Sequence, residues 1–241
     1  MLLIPFYIFF GVAPSIVWLL FYLRKDKHPE PKRMIIKIFL FGMISAVFAA
    51  VVEIIISAGL KYFYSSEDVT QYPFFAFLLY NFLGIALVEE LAKYFVVKKA
   101  VLKNAEFDEP VDAQIYMIIS ALGFAALENI LILLPVEKTL LPQIITATIT
   151  TSAVRFIGAT FLHALTSGTL GYFLALSICR ADKKLKFISL GILISTFLHG
   201  LYNFSIMKVF ETQELSFVFI PAIILVASAV FVLYGFNRLY K

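Results

Sequence analysis

Glu89 and Glu90 stand side by side, one turn before Lys93, inside an apolar run long enough to cross a bilayer. A charge at the centre of a membrane helix costs roughly 2.5 to 3.5 kcal/mol on insertion scales. Glu53, Glu128 and Arg155 lie within other apolar runs, Lys37 near the end of one, and His163 and His199 within two more. Left unpaired, Glu89, Glu90, Lys93, Glu128 and Arg155 would together cost on the order of 15 kcal/mol. That exceeds the net stability of most proteins. They must pair with one another, and a polar cluster held in lipid marks a functional site. Carboxylates, imidazoles and the Asn203 amide suit water activation: a glutamate can take a proton from water, and histidine and asparagine can stabilise the resulting oxyanion. Glu89, Glu90, Glu128, His163 and His199 could instead hold a zinc ion with water at an open position. The sequence has no HExxH pattern and no GxSxG elbow, so the soluble zincin and serine-hydrolase arrangements are absent. The one cysteine, Cys179, excludes an internal disulfide and any CxxC motif.

Spacing indicates which groups meet. Residues three or four apart share a helix face, so Glu89 stacks on Lys93 while Glu90 points roughly 100° away. Phe124 and Glu128 share a face with Asn129 beside them, His199 shares one with Asn203, and Arg155 and His163, eight apart, fall on the same side of one span. At 1.5 Å per residue, Glu128, His163 and His199 lie roughly 20–25 Å from the basic ends of their spans, and Glu89 and Glu90 roughly 13–20 Å. Four helices thus carry acids or imidazoles to one slab between the midplane and the outer surface, with Arg155 near the outer face. Lys93 and Arg155 read as charge partners, with Asn129 supporting them. Glu53, alone in its span, is balanced between structure and site.

The elements that must position these groups are membrane helices. Of 241 residues, 61% are hydrophobic and 15% charged, with mean hydropathy +0.93, a composition foreign to soluble domains. Apolar runs near 3–23, 34–59, 74–98, 113–134, 144–179, 186–207 and 216–237 predict an all-α bundle of about seven transmembrane helices. The whole chain, 1–241, reads as one integral-membrane domain with a motif-bearing core at 74–207. The fifth run is too long for one simple crossing; it tilts, or begins as an interfacial helix near Thr146–Thr151. The first run precedes its charges, so it reads as a retained helix rather than a cleaved signal. Basic residues crowd alternate connections: Arg24, Lys25, Lys27, Lys32 and Arg33, then Lys98, Lys99 and Lys103, then Arg180, Lys183, Lys184 and Lys186, then Arg238 and Lys241. The other connections carry Lys61, Lys138 and Lys208 alone. The positive-inside rule then puts the N-terminus outside and the C-terminus in the cytoplasm of a plasma-membrane protein. The net charge of +4 is explained by this topology and is no nucleic-acid signal. The loop 59–73 reads as a polar turn with an acidic cap, and Gly42, Ala46 and Ala50 as a small-residue face for close helix packing.

The order Glu89-Glu90-x-x-Lys93, Phe124-x-x-x-Glu128-Asn129, Arg155 with His163, and His199-x-x-x-Asn203 resembles the PrsW family. That family belongs to the superfamily of intramembrane proteases that includes the CAAX prenyl endopeptidases and the Abi proteins. The resemblance spans about 85–205, and its second motif carries glutamate, at Glu128, where the CAAX enzymes carry histidine. It implies a bacterial protease that makes the first, outer-side cut in a single-pass anti-sigma factor. It also implies catalytic roles for Glu89, Glu90, Glu128, His163, His199 and Asn203. In the CAAX relatives a glutamate activates water and the His/Asn residues form an oxyanion site, so the expectation is a metal-free mechanism with no cofactor. Glu89 or Glu90 is its base, with Glu89 favoured because it shares a face with Lys93; His163, His199 and Asn203 are its donors, and Glu128 orients a histidine or shares the proton. Zinc bound by the same residues is the alternative. A proton- or cation-coupled transporter is the rival from another class; it should show repeats and interrupted helices, and the sequence displays neither. A silent relative that only binds membrane proteins, or a hydrolase of lipid or prenylated substrates, completes the range.

Overall fold

The computed structural model describes residues 3–64, 73–134, 141–212 and 214–240. Of the turn anticipated at 59–73, residues 59–64 are helical, and 65–72, like Lys138 and Lys241, lie outside the described residues. The described residues form α1 (Ile4–Leu23), α2 (Lys32–Tyr64), α3 (Phe74–Leu79), α4 (Leu87–Ala100), α5 (Pro110–Leu133), α6 (Leu141–Ile157), α7 (Ala159–Cys179), α8 (Lys184–Thr212) and α9 (Phe219–Leu239), with no strand among them. A π-helical segment, Tyr80–Ala86, joins α3 to α4. Seven helical stretches are long and apolar enough to cross a membrane, counting Phe74–Ala100 and Leu141–Cys179 as one each. The second begins two residues before, and ends five residues after, the 34–59 read from the sequence.

Helix α5 is the core. It starts on a capping box between Glu109 and Asp112 with Pro110 in the first turn. Every residue from Val111 to Ala126 is buried. A helix apolar on all sides must be surrounded, and α7 packs along it with its own face buried from Leu162 to Gly171. α1, α2, α8 and α9 form the outer ring and turn Phe9, Phe48, Ile54 and Val226 outward. Two glycines set the α2–α5 distance. A Cβ on Gly42 would sit 2.1 Å from the Ser120 carbonyl oxygen, and one on Gly123 2.0 Å from that of Phe39. Gly42 and Ala46 are buried as the small-residue face requires, whereas Ala50 is only half-buried and Ala49 takes the inner position.

Two helices are interrupted beside the polar cluster: the third span, which reads as uninterrupted, and the fifth, whose excess length left open whether it is one helix or broken. The π-helical segment ends three residues before Glu89, and Asn81 Nδ2 donates to the Phe77 carbonyl at its start. Such turns insert a residue and re-aim the side chains beyond them. The fifth span breaks at Gly158, whose ψ of −100° leaves the helical region. Arg155 and His163 therefore belong to different helices instead of sharing one face. The break lets the Phe156 carbonyl accept from Trp18 Nε1, while Ser152 Oγ donates to the Phe10 carbonyl.

The α1–α2 connection is clasped to the ends of α5 and α9. Tyr116 Oη donates to Glu30, His28 Nδ1 meets Glu109 at 2.6 Å, and Tyr240 Oη accepts from the Lys27 amide and donates to Asp26. Burial pushes the Glu30 carboxyl up to about 8.

Gly42→Val or Gly123→Val should overpack the α2–α5 seam and cost roughly 1–3 kcal/mol or more, read as a lower melting point and reduced monodisperse yield. Gly59→Ala, which meets nothing within 4 Å, should leave both unchanged. The folded clasp holds the Glu30 proton to higher pH than the unfolded chain does, near 4.5. Its contribution is therefore fully present below that value and lost as pH rises to about 8. Glu30→Gln should flatten the fall in stability across that window, and an unchanged slope would remove Glu30 as its cause.

Candidate active site

The cluster is built around Glu90. Its Oε1 accepts from Lys93 Nζ at 2.7 Å, from Thr166 Oγ1 at 3.0 Å and from His199 Nδ1 at 3.0 Å, and its Oε2 from Ser167 Oγ at 2.8 Å. These donors come from α4, α7 and α8, and Glu90 and Lys93 are wholly buried. An unpaired carboxylate would be prohibitive there; four donors with one full positive charge make it tolerable. Lys93 is thus the close partner of Glu90, not of Glu89 as helix spacing suggested: its Nζ stands 3.8 Å from Glu89 Oε2. It also meets His163 Nδ1 at 3.0 Å and lies 4.8 Å from the centre of the Phe124 ring.

A second knot joins α5, α6 and α1. Glu128 Oε2 lies 2.8 Å from both Arg155 Nη2 and His163 Nε2. Arg155 Nε donates to Asn129 Oδ1, and Asn129 Nδ2 donates to the Gly11 carbonyl and Thr160 Oγ1. The break at Gly158 makes this possible, since Arg155 approaches Glu128 from α6 and His163 from α7.

Between the knots lies Glu89. Its Oε2 is buried and accepts no hydrogen bond from a described residue. It faces His163 Nδ1 and His199 Nε2, each at 3.7 Å. The other nitrogen of each ring is committed. Glu128 takes the Nε2–H of His163 and Glu90 the Nδ1–H of His199, and Lys93 can approach His163 Nδ1 only as a donor. These partners assign the tautomers. Both histidines then turn lone pairs toward Glu89. Three electron-pair donors, within 4.8 Å of one another, with a carboxylate behind each imidazole, match the way proteins orient histidine ligands on a metal. Around a tetrahedral zinc with bonds of about 2.0–2.1 Å, donors stand roughly 3.4 Å apart, close to the 3.7 Å observed. The donor set fits a divalent cation, provided Lys93 releases His163 Nδ1 and stays with Glu90.

Of the residues expected at the site, Glu89, Glu90, Lys93, Glu128, Asn129, Arg155, His163 and His199 converge. Asn203 does not: it is half-buried one turn beyond His199 and hydrogen-bonded to none of them. Thr166, Ser167 and Thr160 belong to the cluster although the sequence pattern did not single them out. Thr166 and Ser167 lie three and four residues after His163, on its own face, and that spacing was the available signal. Glu53 joins from α2. It is near enough for its charge to act on Glu89 and Glu128, and its Oε1 is buried without a hydrogen-bond partner among the described residues.

A membrane bundle with a buried carboxylate–imidazole centre suits an intramembrane hydrolase. This chain belongs to the PrsW family: residues 30–233 match the family described as PrsW family intramembrane metalloprotease. It is 32% identical over 205 residues to Protease PrsW of Oceanobacillus iheyensis, covering 85% of this chain and 84% of the relative. The protein of the same name from Geobacillus kaustophilus is 32% identical over 80% of this chain and 76% of its own. That from Bacillus subtilis is 31% identical over 80% and 79%. No solved structure matches the chain. The protein is therefore a multi-pass intramembrane peptidase, which sets the transporter aside.

Lys93→Met should leave Glu90 buried without its counter-charge and cost about 3–5 kcal/mol, visible as a collapsed melting temperature in detergent. In metal-free protein Glu89→Gln should leave the melting temperature nearly unchanged, because Glu89 Oε2 accepts no hydrogen bond from a described residue. Equal losses in the two variants would mean that Glu89 is also structural.

Proposed function

We propose that the protein is a metal-assisted intramembrane endopeptidase that cleaves a single-pass membrane protein of the anti-sigma-factor type. The observation that carries the metal is the convergence of His199 Nε2 and, once Lys93 moves to Glu90 alone, His163 Nδ1 on a Glu89 oxygen that accepts no hydrogen bond from a described residue. In the metal-free mechanism expected from the sequence, those nitrogens would have to donate to an oxyanion. Their tautomers leave them no proton to give, and Asn203 stands apart from them.

Glu89, His163 and His199 would hold the ion. When bound, it would supply a Lewis acid for the scissile carbonyl and lower the pKa of attacking water. The remaining groups do the protein's part. Glu90 and Glu128 fix the histidine tautomers, and Lys93 and Arg155 offset the two carboxylates. Glu128 is engaged by Arg155 and His163, whereas Glu53 Oε1 is not, so Glu53 is the carboxylate free to take the proton from water. Phe124, against His163 and Lys93, keeps bulk water from the knots. Glu89 lies eleven residues, roughly 16 Å, from the Ala100 end of α4. With that basic end in the cytoplasm, cleavage falls in the outer half of the plasma membrane, which supports a first, outer-side cut.

The test is cleavage of single-pass reporters by purified protein in lipid, with metal content measured on the same samples. We expect about one zinc per chain, loss of both zinc and cleavage in Glu89→Gln and His199→Ala, and recovery when zinc is restored to chelated wild type. Glu53→Gln should retain zinc and lose about 10²-fold or more in rate. Chelator-resistant cleavage by metal-free protein that still needs Glu89 would return Glu89 to the role of base and overturn the metal reading.

A further inference from the structure

We propose that the outer face of α2 and α4 carries a binding site for one anionic glycerophospholipid, separate from the catalytic cluster. A groove of about 690 Å³ runs along this seam. Its walls are aromatic and aliphatic, with Phe41 and Phe48 from α2 and Phe95 and Val96 from α4. Lys37 and Lys99 close one end. The two helices run antiparallel, so a lysine near the start of α2 meets one at the end of α4. From Lys37 to Phe48 the groove follows α2 for roughly 16 Å, about the depth of one leaflet in a hydrocarbon core of roughly 30 Å. It is thus apolar for an acyl chain's length and cationic only where a headgroup would sit.

Charge complementarity identifies the occupant. Neither lysine forms an ion pair with a described residue, unlike Lys93 and Arg155. Lys37 instead lies 5.8 Å from the centre of the Phe41 ring, which leaves its ammonium free for a phosphate. Two uncompensated cations over an apolar slot would be poor company for a zwitterionic headgroup and good company for an anionic one. A substrate helix would fill the slot equally well but gives the lysines nothing to pair with. The consequence for the enzyme rests on the function proposed above. Phe95 and Lys99 face away from Glu90 and Lys93 on α4, while Val96, seven residues after Glu89, shares its side, so a lipid seated here braces the helix that carries the catalytic carboxylates.

The probe is native mass spectrometry of the full-length protein titrated with phosphatidylglycerol or phosphatidylcholine. We expect one tightly retained phosphatidylglycerol and no comparable phosphatidylcholine adduct. Lys37→Gln with Lys99→Gln should weaken retention by at least about tenfold, and the Arg pair at the same positions should restore it. Lys184→Gln with Lys186→Gln, which neutralises another basic helix end, should leave it unchanged. Lys99, Lys184 and Lys186 are exposed and Lys37 is half-buried, and an unshifted melting temperature would establish that the variants fold. Equal retention of the two lipids, or equal loss in both Gln pairs, would overturn a specific site. A dimer mass that disappears with the Lys37/Lys99 pair would overturn it in favour of an interface between copies. Reporter cleavage in phosphatidylglycerol against phosphatidylcholine vesicles is a separate readout: its failure would touch only the bracing of α4, and absence of cleavage in both would bear on the proposed function alone.

Discussion

Everything in the bundle is arranged to make one buried charge, that of Glu90, bearable. A carboxylate with no water must find its donors in the protein, and it finds them on three helices: Lys93 on its own helix, Thr166 and Ser167 on α7, and His199 on α8. Each donor must arrive within about 3 Å, and a one-residue slip of any helix would rotate its donor about 100° away. The pairing therefore fixes register where apolar packing is permissive. Between lipid-soaked helices there is little hydrophobic force to choose one contact over another. Close approach is supplied elsewhere, by Gly42 and Gly123 against backbone carbonyls, so the bundle separates the tasks of coming together and aligning.

The second knot extends this logic to the helices that Glu90 does not reach. Glu128 and Arg155 bind α5 to α6, and Asn129 ties both to α1 through the Gly11 carbonyl. His163 belongs to both knots, since its ring spans from Lys93 to Glu128. It is therefore held from two sides, which is the stiffness a reacting group needs.

Much of the fold was legible because bilayer physics leaves few options. Runs of about twenty apolar residues can only be helices in lipid, and seven of them can be read from the sequence directly. The charged members of the site were legible for the same reason: in an apolar run Glu89, Glu90, Lys93, Glu128 and Arg155 have no bland explanation. Position along the chain was a poorer guide to pairing. Glu89 and Lys93 are four apart, yet Lys93 goes to Glu90, because a flexible lysine reaches the carboxylate that also has donors on α7 and α8. Thr166 and Ser167 escaped notice because hydroxyls cost little in a membrane helix and so send no energetic signal. Gly158 lies in a run that reads as continuous; it breaks the helix through tertiary demands, with Arg155 and His163 drawn to one oxygen from opposite sides. The pairing of Asn203 with the cluster was a motif-based expectation, and the geometry gives it no partner there.

Charge balance connects these features to chemistry. Glu90, Glu128 and, from α2, Glu53 are near enough for their charges to act on Glu89, and Lys93 and Arg155 are the cations paired with Glu90 and Glu128. Two carboxylates are offset by these two cations, leaving a surplus on Glu53 and Glu89, the two whose buried oxygens lack hydrogen bonds. A surplus of that size inside a bilayer must be met by protons or by a cation. Protons on both acids would leave two hydroxyls searching for acceptors, and the nearest to Glu89 are the imidazole lone pairs at 3.7 Å, too long for a hydrogen bond. A divalent ion, as proposed, would answer the same charge and would use those lone pairs directly, leaving Glu53 free for the role of base proposed for it. The helix interruptions serve this balance: the π-turn precedes Glu89 and the break at Gly158 separates Arg155 from His163. The irregular backbone is thus placed beside the buried polar cluster.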